Sequence, residues 1–196
     1  MKKIILFVLL ITLCVSLCAC GETKQPASSA ANGNNAAAQE GSFNIRNGIT
    51  WGMNKEQIDA SEVNNKMSRQ EGNLNAHWDC VLYYPAPVTA AYLFALQYMF
   101  KDGKLAAVIY DSGSDVAANE YTEIKAVMDE AYGAAAPANT EDVLKINEDM
   151  LPGRFSAANV VDGLSWQWND EANIYMYKYS GEKFVILFAD PSLLTQ

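Results

Sequence analysis

The sequence predicts an α+β fold, an antiparallel sheet with helices packed on one face. Apolar residues alternate with period two through several windows beyond residue 80. An Asp-Gly pair separates two of these windows, as a hairpin turn would. A stretch near residue 120 instead keeps the 3,4,3 spacing of a single helix face.

Folding is expected to start near Phe43, and residues 43–196 suffice for one domain of about 150 residues. Asn54 followed by Gln57 makes a capping box that starts a helix at Lys55. Ile58, Glu62 or Val63, and Met67 give it a loosely apolar face. Cys80, Leu82 and Tyr84 then line one side of a short strand closed by Pro85 and Pro87. Tyr92, Phe94, Leu96, Tyr98 and Phe100 alternate along a longer strand. Asp102-Gly103 suits a type I′ turn, because both central residues need positive φ. A plain two-residue loop sets Phe100 opposite Leu105, Tyr98 opposite Ala107 and Leu96 opposite Ile109.

Asp115 is expected to cap a second helix ending at Tyr132, with Gly133 as its stop. Tyr121, Ile124, Met128 and Ala131 form its inner face. Residues 134–162 read as irregular, with a short element around Val143 to Ile146. Three strands close the chain, over 164–169, 173–179 and 183–189, turning at Asp170-Glu171 and Ser180-Gly181. The two late hairpins align without a gap, Tyr98 on Tyr177, Phe100 on Tyr179, Lys104 on Lys183 and Leu105 on Phe184. This suggests two helix–three-strand halves, 43–111 and 112–190, although amphipathic hairpins resemble one another in any short window.

The first residues carry a different signal. Lys2 and Lys3 precede an apolar run from Ile4 to Ala19, shorter than the ~20 residues a helix needs to cross a bilayer. A basic head, a short apolar body and a small residue at its end make a signal-peptide pattern. The run ends Leu17-Cys18-Ala19-Cys20-Gly21, which resembles a bacterial lipobox. The resemblance implies that residues 1–19 are removed and that Cys20 carries the lipid. Cys18 departs from the small or hydroxyl residue usual at its place. Cys14 and Cys18 fit the lipidated position less well, because Leu13 and Leu17 are too bulky to precede it. An ordinary secretory signal and an uncleaved helix are the alternatives. On the lipoprotein reading the protein is extracytoplasmic, anchored to a cell membrane or outer membrane by durable multiple acylation. Residues 21–42 hold no apolar side chain larger than alanine and read as a disordered linker of ~25 Å root-mean-square span.

The net charge is −9, and loss of Lys2 and Lys3 makes the remainder more acidic. That balance argues against nucleic-acid binding and broad contact with anionic lipid. Of four cysteines, only Cys80 lies in the folded part, so no internal disulfide is expected. A Cys80–His77 dyad is disfavoured, since positions three apart on a strand face opposite sides. One histidine cannot build a histidine metal centre, and no phosphate loop or nucleophile elbow is present. Asp111-Ser112-Gly113-Ser114-Asp115 is the nearest thing to an ion loop, but Thr122 stands where a calcium loop needs Glu, with Glu123 one residue late. It reads as a turn and helix cap. No cofactor, metal or catalysis is expected.

A second resemblance rests on Trp51-Gly52-Met53 leading into a helix, on Tyr98 through Leu105 around the Asp-Gly turn, and on Tyr121 through Tyr132-Gly133. Over residues 49–190 this pattern is similar to β-lactamase-inhibitor-protein-like envelope proteins and the related outer-membrane assembly lipoproteins. The resemblance implies helices on one side of an antiparallel sheet and a protein-binding role without catalysis. No inhibitory contact residue matches, so no target carries over.

The aromatic residues are the candidate site. Trp166 and Trp168 share one strand face, and Tyr175 and Tyr177 share another with Tyr179. A sheet covered on one side leaves such residues exposed on the other, where they would bind a protein or peptide. Core packing is the alternative for each. Two further functions stay open, a small-ligand pocket for sugar or lipid and a hydrolase, the hydrolase being the less supported.

Overall fold

The computed structural model describes residues 43, 45–63, 66–88, 92–113, 118–150, 160–179 and 183–195. The expected signal peptide, Cys20, the linker over 20–42, the Asp115 cap and the Ser180-Gly181 turn lie outside them. The elements run α1 Lys55–Glu62, β1 Ser68–Asn73, β2 Trp78–Pro87, β3 Leu93–Lys101, β4 Lys104–Asp111, α2 Ala118–Tyr132, β5 Ala136–Pro137, α3 Thr140–Met150, β6 Val160–Trp168, β7 Ala172–Tyr179 and β8 Phe184–Ala189. A 3-10 turn over Pro191–Leu194 follows. The fold is α+β, with one antiparallel sheet of eight strands in the order β1-β2-β3-β4-β8-β7-β6-β5.

Local chemistry explains the expected starts and stops. The Asn54 side chain accepts from the Gln57 N–H at 3.0 Å while Gln57 Oε1 accepts from the Asn54 N–H at 2.9 Å, a complete capping box. Gly133 ends α2 at φ +87°, its N–H donating to Asp129 C=O. Asp102 and Gly103 sit at φ 51° and 78°, the backbone a type I′ turn requires. The β6–β7 turn likewise uses Asn169, at φ 47°.

The hairpin register differs from the plain two-residue loop. Phe100 opposes Leu105, but a bulge then sets Met99 opposite Ala107, Tyr98 opposite Val108 and Leu96 opposite Tyr110. The extra residue puts Ala106 and Ala107 on the same side of the sheet. Leu105, Val108 and Tyr110 thereby share the other side with Leu96, Tyr98 and Phe100. The bulge places the larger β4 side chains in one core and leaves two alanines and Ile109 facing the second.

The α+β fold and antiparallel sheet stand as expected, with α1 and α2 on one face and α3 over part of the other, which the sequence had left without a helix. The first face holds Ile58 of α1, Ile124 and Met128 of α2, and Phe43, Ile45 and Ile49 against strand residues including Leu96 and Ile174. The second holds Val143, Ile146 and Met150 of α3 and Leu193 of the 3-10 turn against Tyr175, Tyr177 and Leu187. The stretch read as irregular thus contains an eleven-residue helix. Its Asn139 side chain accepts from the Glu141 N–H, and Asn75 Nδ2 donates to the Asp149 and Met150 carbonyls at its other end. β1 was equally unforeseen, because SRQEGN carries no apolar residue.

Strand order is symmetric about the β4–β8 pairing, each half running inward from its own edge. Ile58 and Ile124, Val108 and Ile186, and Tyr110 and Phe188 hold matching places on the first face. The gapless alignment is not the structural one: Tyr98 belongs to the first face and Tyr177 to the second. α3 breaks the symmetry, lying between β5 and β6 where a tight turn joins β1 to β2.

Candidate functional site

The four aromatics expected on an open face do not form one. Trp166 and Trp168 do share a face, opposite that of Tyr175 and Tyr177. Tyr175 is 4 % exposed and Tyr177 1 %, because α3 packs over them. Trp166, also buried, donates from Nε1 to Gly133 C=O at 2.9 Å and Asp129 Oδ1 at 3.1 Å, tying β6 to the end of α2. Trp168 is half-buried against Tyr132, edge to face at 5.8 Å. The unforeseen third helix is the physical reason: the sheet has no wholly open side.

His77 and Cys80 also go separate ways. His77 is exposed, its Nδ1 3.1 Å from Asp102 Oδ1. Cys80 is buried beneath Gly72, and burial pushes its thiol pKa up, with Asp79 adding to the shift. A thiol held protonated is a poor nucleophile. Asp111 caps a turn, accepting from the Gly113 N–H at 2.9 Å.

A dense polar cluster sits under α1. Glu62 is buried, with Arg46 Nε 3.0 Å from its Oε1 and Tyr98 donating to the same oxygen. One helical turn earlier, Asp59 accepts from Tyr83 and lies 2.7 Å from Arg69 Nε. Tyr83 and Tyr98 meet edge to face at 5.8 Å, so two carboxylates of α1 engage two adjacent tyrosines of the sheet. Burial, then the Glu62 bond, pushes the Tyr98 hydroxyl far above its ordinary pKa. Desolvation pushes the Asp59 carboxyl up, but bonds from Arg69 and Tyr83 outweigh it and hold the carboxyl low. These hydrogen bonds and ion pairs pin the helix to the strands.

The second face is only partly covered over β1–β3: Trp78, Cys80 and Met99 are buried on it, while the residues farther along are half-buried or exposed. Leu82 pairs with Gln97 on one side and Gln70 on the other, all directed to the face that carries Cys80 and Met99. Further along the same face come Tyr84 and Leu93, 53 % and 55 % exposed, with Ala95 half-buried between the strands. α3 covers the β7–β8 side of this face and Trp78. What remains is a shallow apolar strip bordered by two glutamine amides, suited to hold an apolar side chain of a partner and hydrogen-bond its backbone. The sequence grouped Cys80, Leu82 and Tyr84 on one side correctly. Leu93 was the residue missed, and its place two before Ala95 on an alternating strand was the available signal. Among the described residues no group of three or more metal-ligating side chains converges, and no helix is long and apolar enough to cross a membrane. No family model, curated protein or solved structure matches the chain.

Proposed function

We propose that the chain is an extracytoplasmic lipoprotein, held on a bacterial membrane through Cys20, whose domain binds a protein or peptide partner without catalysis. The anchor rests on the sequence: Lys2 and Lys3, the apolar run, and Leu17-Cys18-Ala19-Cys20. Residues 21–42 then act as the spacer between bilayer and domain.

One observation carries the binding role. Tyr84 and Leu93 stand exposed on neighbouring strands of one face, with Leu82 beside them, rather than scattered singly. Exposed tyrosine is a favoured anchor in protein recognition, since it brings a large apolar ring and a polar tip at small entropic cost. Tyr84 and Leu93 take the place expected of Tyr175 and Tyr177, which α3 buries.

Two measurements test the proposal. Mass spectrometry of the processed protein should find an acylated Cys20 at its start; any other start removes the anchor. A photo-crosslinking side chain at position 84 or 93, in intact cells, should trap a defined adduct. The same group at Val161, 59 % exposed and outside this strip, is the control. Identical adducts from all three positions would refute recognition by this face.

A further inference from the structure

Among the described residues β1 has a neighbour on one side only, β2. It is six residues long, exposed along most of its length, and free of proline, so every outward N–H can donate. The Leu74 N–H donates to Trp78 C=O at 3.0 Å, continuing the β1–β2 register. Backbone polarity alternates along an antiparallel strand. Even-numbered residues of β1 therefore direct their polar groups at β2, and Arg69, Glu71 and Asn73 direct theirs outward.

We propose that two copies of the chain associate through β1, antiparallel about a two-fold axis at Gln70, with Arg69 of each facing the partner's Glu71. Backbone polarity restricts antiparallel self-pairing to registers that match outward residues with outward residues. Of the axes at Arg69, Gln70 and Glu71, one opposes Arg69 to the partner's Arg69 and another Glu71 to the partner's Glu71, while an axis at Gly72 pairs only three residues of each strand. Like charges directly opposite are destabilising. The axis at Gln70 opposes Arg69 to the partner's Glu71 on both sides of the axis and sets Ser68 against the partner's Gly72, where no side chain obstructs.

The charges behind the strand continue the pattern. Asp59 lies 2.7 Å from Arg69, and Lys55 lies 3.9 Å from Glu71. Across the interface the row reads Asp59, Arg69, the partner's Glu71, the partner's Lys55, alternating in sign. Within one copy Arg69 Nη2 and Glu71 Oε1 are 2.6 Å apart, so association exchanges a pair along the strand for pairs across it. The net attraction comes from main-chain hydrogen bonds, and the charges select the register. A charged edge ordinarily repels its own copy; the plus–neutral–minus order of Arg69-Gln70-Glu71 is instead its own complement when reversed. An axis normal to the sheet also keeps both apolar strips on the same side, joined across the Gln70 pair. The inference is independent of the lipid anchor and of what the strip binds.

The test uses the full chain in detergent. In this register Gln70 faces the partner's Gln70 as a non-hydrogen-bonded pair, with Cα atoms about 4.5 Å apart, within disulfide range. With Cys14, Cys18 and Cys20 replaced by serine, Gln70→Cys should give an oxidised dimer that the same chain with Gln70 does not form, and faster than Asn73→Cys, which does not face itself. Adding Arg69→Glu should slow that cross-link on the order of tenfold, and adding Glu71→Arg as well should restore it. Cross-linking at Gln70→Cys no faster than at Asn73→Cys, or no recovery in the double reversal, overturns the proposal. Sedimentation of the unsubstituted chain as a monomer up to ~1 mM also overturns it.

Discussion

Asn147 Nδ2 donates to the Tyr177 hydroxyl across 3.1 Å, and each residue is 1 % exposed. This bond crosses between α3 and β7, inside the contact that closes the second face. Removing one partner strands the other in a dry environment. Tyr177→Phe should cost about 1–3 kcal/mol in urea-induced unfolding. Asn147→Leu combined with Tyr177→Phe should cost less than the sum of the single changes, because two apolar groups then meet.

Gly72 is the smallest residue of β1 for a steric reason. A Cβ placed there would lie 2.9 Å from the Cys80 Sγ. Gly72→Ala should therefore destabilise by about 1–2 kcal/mol. Cys80→Ala removes the obstructing sulfur, so in its background the same substitution should be nearly neutral. Thermal unfolding of the four proteins reads the coupling directly.

Burial of Cys80 also governs its reactivity. Desolvation, with Asp79 nearby, keeps the thiol protonated at neutral pH. Alkylation at Cys80, followed by peptide mass spectrometry, should be slow in the native protein and fast in denaturant. Equal rates in both would show that Gly72 and its strand do not shield the sulfur.

Acid should weaken the α2–β6 junction. The Lys125 bond holds the Asp129 carboxyl below the usual range against a smaller opposing effect of burial, and the Ala135 N–H and Trp166 Nε1 add to it. The folded pKa lies below the unfolded value of about 3.9, so between the two the unfolded chain binds more protons. The stabilisation is therefore present above that unfolded value and is lost as pH falls through the folded one. Asp129→Asn should lower the melting temperature near neutrality, and the gap from the parent protein should narrow between about pH 5 and about pH 3. A constant gap would remove Asp129 from the account.

Where local chemistry decides, the sequence was readable. The Asn54–Gln57 box, the Asp102-Gly103 turn and the Gly133 stop each depend on a few adjacent residues, and each stands where the pattern placed it. The face assignments on β6 and β7 followed from strict alternation. The bulge at Ala106 did not, since its cause lies in which core must receive Val108 and Tyr110. β1 was invisible because a polar edge strand has no apolar alternation to betray it. α3 carries Val143, Ile146 and Met150 at helical spacing, and the prolines on either side obscured it. That omission misplaced the candidate site: with α3 unseen, Tyr175 and Tyr177 looked exposed, and the opening at Tyr84 and Leu93 had no reason to stand out.

β8 follows every other strand among the described residues, yet it occupies the middle of the sheet, between β4 and β7. Until a ribosome has finished Phe184–Ala189, each half holds a raw inner edge with nothing to close it. Nascent chains must therefore stay incompletely knit until Phe184–Ala189 has emerged. A stop codon just before Phe184 would leave seven strands in place and still delete the seam that joins the two halves.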